Sequence, residues 1–376
     1  MRRAMLAGLD AGSFLRRHWQ KRLLLARRAL PQYENVVTRE SLFELATRDD
    51  VQSRLVTRNG RRWNVAHGPF SRRTLARLPS RGWTLLVQGV NEVLPRAQAL
   101  LLEFGFIPYA RLDDVMVSYA PPGGGVGPHF DSYDVFLLQL AGTRRWRVSQ
   151  QRDLTLVEGA PLKLLKRFRA EQEWRLAPGD MLYLPPRIAH DGIAVDECIT
   201  ASIGFRAPDA REIATRFLEF LQEEIALDGD YRDPQLRPAR RPAQIGSGML
   251  RKIACMLEGI HWNAADVLSF AGQYLTEPKA HIVFARPARP LSAAMFARRA
   301  MRLGVALDLR TQMLFRGRRI FINGERHDVS ARAARLLTTL ADRRRLTPPL
   351  ALDDGTARRL YQWYCAGYIV FDSHGN

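Results

Sequence analysis

Two metal-competent side chains, His129 and Asp131, close a glycine- and proline-rich stretch that begins at Pro121. Residues two apart on a β-strand point to the same face, so an imidazole and a carboxylate at this spacing could hold one metal ion together. His190, in the segment LYLPPRIAHDG, is the best candidate for a third ligand. Two histidines and one carboxylate on one side of a metal are typical of non-haem Fe(II) oxygenases and leave positions open for a cosubstrate and O2. The alternative for an isolated His-x-Asp is a hydrogen-bonded surface pair.

A 2-oxo acid cosubstrate would bring a second carboxylate, and Arg144 is the candidate cation for it. Arg144 follows the turn after the His-x-Asp strand, and a guanidinium fork binds a carboxylate through two hydrogen bonds while staying charged when buried. Strand alternation turns Arg145 and Arg147 to the opposite face, where we expect them to be exposed. Ser118 and Ser202 could add hydroxyl hydrogen bonds. Zinc is less favoured, because its catalytic sites are usually tetrahedral with one open position. The alternative for Arg144 is one more surface arginine.

Alternating patterns predict the strands that would position these side chains. DDVMVSYA and HFDSYDVFLLQL both alternate, and the second places His129, Asp131 and Tyr133 on one face. In ECITASIGFRAP the residues on one face are small, as the wall of a cavity would require: Cys198, Thr200, Ser202 and Gly204. Seven or more short strands with Gly/Pro turns predict an α+β chain built on a double-stranded β-helix, the jelly-roll of cupins.

The remainder of the chain reads as helices, a linker and a hairpin. We predict a helix after Pro208, a linker over residues 228–245 and further helix over 247–276. TQMLFRGRRIFING predicts a β-hairpin, SARAARLLTTLAD and DDGTARRLYQWYCAG predict helices and YIVF a strand, a set typical of a winged-helix module. Three domains are expected: a catalytic jelly-roll with N-terminal helices over 1–208, a helical region over 209–288 and a winged-helix-like domain over 289–376.

The charge of the chain points to an anionic partner. With 376 residues and a net charge of +19, direct nucleic-acid binding is one interpretation. Only five of the 57 basic residues are lysine, however, and such an arginine excess arises as readily from a GC-rich genome. The sequence contains no run of eighteen or more apolar residues, so no membrane helix is predicted, and no secretory signal is expected. Three cysteines that lie far apart suit a reducing cytosol.

Three segments resemble the ribosomal oxygenase family: GGGVGPHFDSYDVFLLQLAGTRRWRV, PGDMLYLPPRIAHDG and SIGFRAP. HWQK, SRLV and HGPF, nearer the N-terminus, are also similar, whereas the arginine-rich C-terminal third is only loosely so. The family consists of JmjC-related Fe(II)- and 2-oxoglutarate-dependent hydroxylases, and its bacterial branch hydroxylates an arginine β-carbon of a large-subunit ribosomal protein. The resemblance implies Fe(II) as cofactor, 2-oxoglutarate and O2 as cosubstrates, a helical dimerisation region, a C-terminal winged helix and a cytoplasmic homodimer.

The resemblance also assigns residues. His129, Asp131 and His190 match the iron ligands of the family, and Ser118 and Arg144 match positions that hold 2-oxoglutarate. A cationic target would suit an acidic or aromatic lining, so Tyr133, expected to face inward, is the predicted substrate contact.

Two other classes of function stay open at this stage. A JmjC-type histidine hydroxylase or lysine demethylase would use the same iron chemistry. A non-enzymatic cupin regulator would instead bind DNA through the basic C-terminal module and would need neither Arg144 nor open metal positions.

Overall fold

Two antiparallel sheets form the predicted double-stranded β-helix. The computed structural model describes residues 3–60, 62–224 and 230–372. The first eleven strands are β1 Leu24–Ala26, β2 Ser53–Asn59, β3 Arg62–His67, β4 Trp83–Val87, β5 Leu112–Ala120, β6 Val135–Ala141, β7 Arg144–Ser149, β8 Gln172–Leu176, β9 Met181–Leu184, β10 Ala189–Ala194 and β11 Cys198–Phe205. The major sheet runs β1-β9-β6-β11-β5-β4-β2-β3, and the minor sheet runs β10-β7-β8.

The packing of the two sheets follows from side-chain alternation. Val135 and Leu137 of β6 and Leu182 of β9 pack with Trp146 and Val148 of β7 in one apolar cluster between the sheets. On β11, the apolar residues enter the main core on the other face. Of the four small residues predicted to form a cavity wall, Ser202 and Gly204 line the cavity. Cys198 instead packs with Ala120 and Ala194, and the buried Thr200 hydroxyl donates to Gln139. The major sheet therefore has an apolar outer face, which other elements must cover, and an inner face that is partly polar.

Short N-terminal helices cover that outer face. They are α1 Ala11–Arg17, α2 Arg39–Leu45, α3 Arg72–Ala76 and α4 Pro95–Leu102, together with 3-10 turns at Arg3–Leu6, Pro31–Tyr33, Val90–Glu92 and Tyr109–Arg111. The side chains of Asp10, Thr38 and Ser71 cap the first three helices, and Pro95 starts the fourth, where its missing N–H is not needed. Phe14 and Leu100 share the main core with Phe136 and Phe205 of the sheet.

The C-terminal part contains the predicted helices and hairpin. Its elements are α5 Ala210–Glu224, α6 Ser247–Leu257, α7 Ala264–Thr276, α8 Ala293–Leu303, β12 Val305–Leu307, β13 Met313–Arg316, β14 Arg319–Ile322, β15 Glu325–Asp328, α9 Ala331–Arg343, β16 Arg345–Leu346, α10 Asp354–Ala366 and β17 Ile369–Phe371. TQMLFRGRRIFING folds as the β13–β14 hairpin, with Gly317 at positive φ in the turn. Among the helices of the described residues, none is long and apolar enough to cross a membrane.

The chain forms two compact units that do not follow its linear order. One unit comprises residues up to 207, 278–311 and 335 onwards, and the other comprises 208–277 and 312–334. Within the second unit, α7 packs on the β13-β14-β15 sheet, where a Cβ at Gly272 would lie 2.3 Å from the Phe321 ring. The predicted linker, 228–245, begins outside the described residues. The predicted domain boundaries at 208 and 288 stay predictions.

Candidate active site

His129, Asp131 and His190 come together at one end of the jelly-roll. One ligand atom from each lies within 4.8 Å of the others, and Asp131 Oδ2 is 3.7 Å from His190 Nε2. His190 is on β10 of the minor sheet, and its backbone exchanges two hydrogen bonds with His129, of 2.8 and 2.9 Å. The three side chains predicted from the sequence are therefore close enough together to bind one metal ion.

The predicted strand that carries the first two ligands was too long. His129 forms only an isolated bridge with His190, Asp131 is in a loop, and β6 begins at Val135. Pro128 has no backbone N–H to donate to a neighbouring strand. The buried Asp134 carboxylate accepts hydrogen bonds from Tyr183 and Gln20, and β6 begins only at the next residue. The two ligands converge because of this loop rather than because of strand alternation.

Hydrogen bonds to backbone carbonyls orient both imidazoles. Nδ1 of His129 lies 2.8 Å from the Gly127 oxygen, and Nδ1 of His190 lies 2.9 Å from the Ile188 oxygen. A carbonyl only accepts, so each Nδ1 carries a proton, and in the neutral imidazole Nε2 then has the lone pair that binds a metal. Burial, reinforced by the neighbouring His129 imidazole and opposed by Asp131, lowers the pKa of His190 to about 4. His190 is thus a neutral ligand at physiological pH.

Arg144 is buried, contrary to the alternative that it is a surface arginine. It is 5% exposed, and its Nη1 donates to Ser118 Oγ at 3.2 Å. Its Nε and Nη2 are buried without a hydrogen-bond partner among the described residues. A buried guanidinium with two unused donors is energetically unfavourable until an acceptor arrives, and a carboxylate matches that fork. Arg145, the next residue, is half-exposed on the other face beside Glu173, as alternation requires.

A cavity of about 550 Å³ joins the triad to Arg144. Ser118, Ser202 and Tyr133 also line it, so all seven residues nominated from the sequence face one space. Tyr133 is 42% exposed and lies towards the mouth of the cavity. Arg147 points to the outer face, but it is only partly exposed because it pairs with the buried Asp191.

Two carboxylates that line this cavity, Asp113 and Asp114, were not predicted from the sequence. Asp114 Oδ2 accepts from Gln88 at 2.7 Å and from the Gly89 N–H at 3.0 Å, and burial raises the pKa of Asp114 against the opposing effect of Lys279. Lys279 Nζ is 3.0 Å from Asp113 Oδ1. Strand alternation was the available signal for Asp114, which shares a face of β5 with Ser118, but alternation turns Asp113 to the opposite face.

Two regions match known protein families. Residues 99–213 match the JmjC domain, and residues 259–369 match the ROXA-like winged helix. These matches confirm the predicted jelly-roll of JmjC type and the predicted C-terminal winged helix.

The similarity to individual proteins extends over most of the chain. The ribosomal protein uL16 3-hydroxylase of Escherichia coli is 34% identical over 335 residues, which cover 87% of each protein. A probable ribosomal oxygenase of Haemophilus influenzae is 42% identical over 201 residues, 52% of this chain and 49% of that protein. The X-ray structure of E. coli YcfD superposes with a TM-score of 0.85 at 31% identity, covering 96% of this chain and 98% of that one. The complex of YcfD, a ribosomal oxygenase, with cobalt and 2-oxoglutarate gives 0.83 at 31% identity, covering 97% and 99%.

Proposed function

This chain belongs to the ribosomal oxygenase family of JmjC-domain proteins, and from that premise we propose that it hydroxylates the β-carbon of an arginine in a large-subunit ribosomal protein, using Fe(II), 2-oxoglutarate and O2. The observation that carries the proposal is one cavity that holds a His-Asp-His triad and a buried arginine with unused donors. The E. coli relative is a uL16 3-hydroxylase, and position 3 of an amino acid is its β-carbon. We take uL16 as the substrate protein.

The donor set of the triad suits a ferrous ion. His129 and His190 would bind the ion through Nε2 and Asp131 through one carboxylate oxygen, and the ion would be reached from the cavity that these three side chains line. When bound, Fe(II) supplies the oxygen chemistry: one atom of O2 enters the substrate C–H bond and the other enters succinate as 2-oxoglutarate loses CO2. The protein contributes the position of the C–H bond and the exclusion of water.

Arg144, Ser118 and Ser202 are the proposed contacts of the cosubstrate. The two free donors of Arg144 would bind the carboxylate of 2-oxoglutarate that lies away from the metal. Ser118 supports this by accepting from the third donor, Nη1, which fixes the plane of the guanidinium. Ser202 lies on β11, opposite Met116 of β5, with its side chain on the cavity wall.

Two carboxylates in the cavity could bind a cationic target residue. Asp113 and Asp114 line the same space as Tyr133. Lys279 Nζ lies 3.0 Å from Asp113 Oδ1 and 3.7 Å from Asp114 Oδ2, and Arg206 Nε lies 3.9 Å from Asp113 Oδ1. A guanidinium could lie against the ring of Tyr133 and donate to a carboxylate at the same time. This supports arginine as the target and gives Tyr133 the role of its aromatic contact.

We further propose that the protein works as a homodimer in the cytoplasm. On α6 five exposed apolar side chains recur at helical spacing and form one stripe: Met249, Leu250, Ile253, Met256 and Leu257. A monomer rarely exposes such a stripe, so a second copy of the chain is a natural cover. The three cysteines are free, which suits a reducing compartment.

Incubation of the protein with purified uL16, Fe(II), 2-oxoglutarate and O2, followed by peptide mass mapping, tests the proposal. We expect one added oxygen atom on a single arginine, with succinate formed in equal amount. His129→Ala should abolish the product, and Arg145→Ala should not. Oxygen on a histidine would identify the histidine hydroxylase, and loss of methyl groups from a lysine substrate the demethylase. Salt-dependent DNA binding without any 2-oxoglutarate turnover would favour the regulator and contradict the proposal.

A further inference from the structure

A second cavity, of about 350 Å³, lies on the outer face of the minor sheet. Asp191 and Ile193 line it from β10, where they alternate with the metal-ligand candidate His190. It shares no lining residue with the larger cavity. The loop between β5 and β6 separates the two spaces, because Gly125 and Gly127 line the outer cavity while Val126 lines the inner one.

Glycine is required in this loop, which shows that the wall is tightly built. A Cβ at Gly125 would lie 2.6 Å from the Gly192 oxygen. A Cβ at Gly127, which has φ +80, would lie 2.6 Å from the Leu164 side chain. The outer cavity is therefore a formed feature of the fold rather than a gap between loose segments.

The charges around the outer cavity are predominantly positive. Arg58, Arg147 and Lys166 line it, and Asp191 is the one carboxylate among the lining residues. Asp191 pairs with Nη2 of Arg147, so the lining keeps a net charge of about +2. The Nε of Arg147 is buried and has no hydrogen-bond partner among the residues the structure describes. The cavity thus has unneutralised cationic donors.

Aromatic rings hold both guanidinium groups in place. Arg58 lies over the ring of Trp63 at 5.2 Å, and its Nε donates to the Gly60 oxygen at 2.9 Å. Arg147 lies over the ring of Phe168 at 5.7 Å. Guanidinium groups held against aromatic rings lose little side-chain entropy on binding and can donate N–H groups to an oxyanion. Trp63 and Phe168 add apolar surface beside the charges.

We propose that the outer cavity binds the phosphate of a nucleotide. A phosphate monoester carries about −1.5 to −2 charges near neutral pH, which matches the net charge of the lining, whereas a single carboxylate would leave part of it uncompensated. The volume lies at the lower end of the range for small-molecule sites, so it has room for a group attached to the phosphate. Aromatic side chains beside basic ones are the combination that binds nucleotide bases and phosphates. The nucleotide is either free or the phosphorylated end of an RNA strand.

Calorimetric titration of the full chain with 5′-AMP, adenosine, inorganic phosphate and a single-stranded oligoribonucleotide with or without a 5′-phosphate tests this. Arg58→Ala and Lys166→Ala change exposed side chains, so both variants should fold. Each should weaken 5′-AMP binding about tenfold, as expected for loss of one charge-assisted contact. Arg145→Ala removes a charge from the same face of the sheet but outside the cavity lining, so it should leave 5′-AMP binding unchanged.

The sources of the phosphate separate in the same experiment. Tight binding only of the 5′-phosphorylated strand, with the same sensitivity to both variants, identifies an RNA end, and binding of 5′-AMP alone identifies a free nucleotide. Three results would overturn the proposal: no binding of either, affinities unchanged in both variants, or displacement of 5′-AMP by 2-oxoglutarate, which would place it in the inner cavity. Inorganic phosphate binding as tightly as 5′-AMP would overturn the nucleotide assignment.

Discussion

Replacing Arg144 with methionine should have opposite effects on stability and on cosubstrate binding. In the ligand-free protein this guanidinium is buried with two unused donors, an arrangement that opposes folding. An apolar side chain of similar volume in place of such a buried charge is often stabilising by about 1–3 kcal/mol. We therefore expect Arg144→Met to raise the melting temperature of the ligand-free protein by about 1–4 °C.

The same substitution should remove most of the stabilisation that 2-oxoglutarate provides. Two charge-assisted hydrogen bonds contribute about 1.5–3 kcal/mol each, so their loss should weaken cosubstrate binding about hundredfold or more. At a concentration about 100 times the wild-type Kd, 2-oxoglutarate stabilises the wild type by about 2.7 kcal/mol. A variant that binds hundredfold more weakly gains only about 0.4 kcal/mol under the same conditions. Thermal unfolding with Mn(II) as a redox-stable metal, with and without 2-oxoglutarate, measures both effects.

Arg145→Met is the matched control, since it changes the neighbouring residue on the outer face of the strand, beside Glu173. It should alter stability by less than about 0.5 kcal/mol and leave the 2-oxoglutarate effect intact. An Arg144→Met protein that keeps the full 2-oxoglutarate shift would show that the Arg144 donors do not bind the cosubstrate. A ligand-free Arg144→Met protein that is clearly less stable than wild type would refute the argument about its unused donors.

Three further predictions concern other parts of the chain. Burial raises the pKa of Glu92 to about 7. Ionisation of Glu92 therefore destabilises the fold as the pH rises from the ordinary glutamate range to 7. Glu92→Gln should raise the free energy of unfolding by about 2–3 kcal/mol at pH 8 but change it little at pH 5. Gly127→Ala should destabilise the fold by about 1–3 kcal/mol and weaken Mn(II) binding about tenfold, because the added Cβ displaces the carbonyl that orients His129. Ile253→Asp should convert the proposed dimer to a monomer in analytical ultracentrifugation.

Each of these has its own control and contradicting result. An equal effect of Glu92→Gln on the free energy of unfolding at both pH values would show that ionisation is not the cause. Gly123→Ala shares a positive φ but meets no atom within 4 Å, so it separates backbone strain from displacement of the loop. Arg251→Asp makes a charge change on the same helix, and a loss of dimer equal to that of Ile253→Asp would argue against the apolar stripe.

The part of the site on regular strands could be predicted from the sequence. Alternation on β7 turns Arg145 and Arg147 to the face opposite Arg144, the family resemblance gives Arg144 its role, and alternation on β11 places Ser202 on the small-residue face. Arg144 and Ser202 both line the cavity. Alternation works there because paired strands force a period of two on the side chains. Strand alternation was wrong as an explanation for His129 and Asp131, because both lie in a loop. The sequence pattern of that segment had predicted a strand.

Features that depend on distant segments could not be predicted. Asp113 lines the cavity although alternation on β5 turns it to the face opposite Asp114, and Lys279 approaches both carboxylates from a distant segment. The two compact units are also discontinuous, since the hairpin of residues 312–334 joins residues 208–277. A sequence pattern gives the local spacing of side chains. It does not give the long-range packing that brings these distant segments together.

The central claim is that His129, Asp131 and His190 hold one ferrous ion that 2-oxoglutarate can reach. Anaerobic titration of Fe(II) and 2-oxoglutarate, followed by the visible absorption band of a 2-oxo acid chelated to Fe(II), tests it most directly. We expect one iron per chain in the wild type and in Arg145→Ala, and no band in His129→Ala or His190→Ala. A wild-type protein without the band, or triad variants that retain it, would contradict the account.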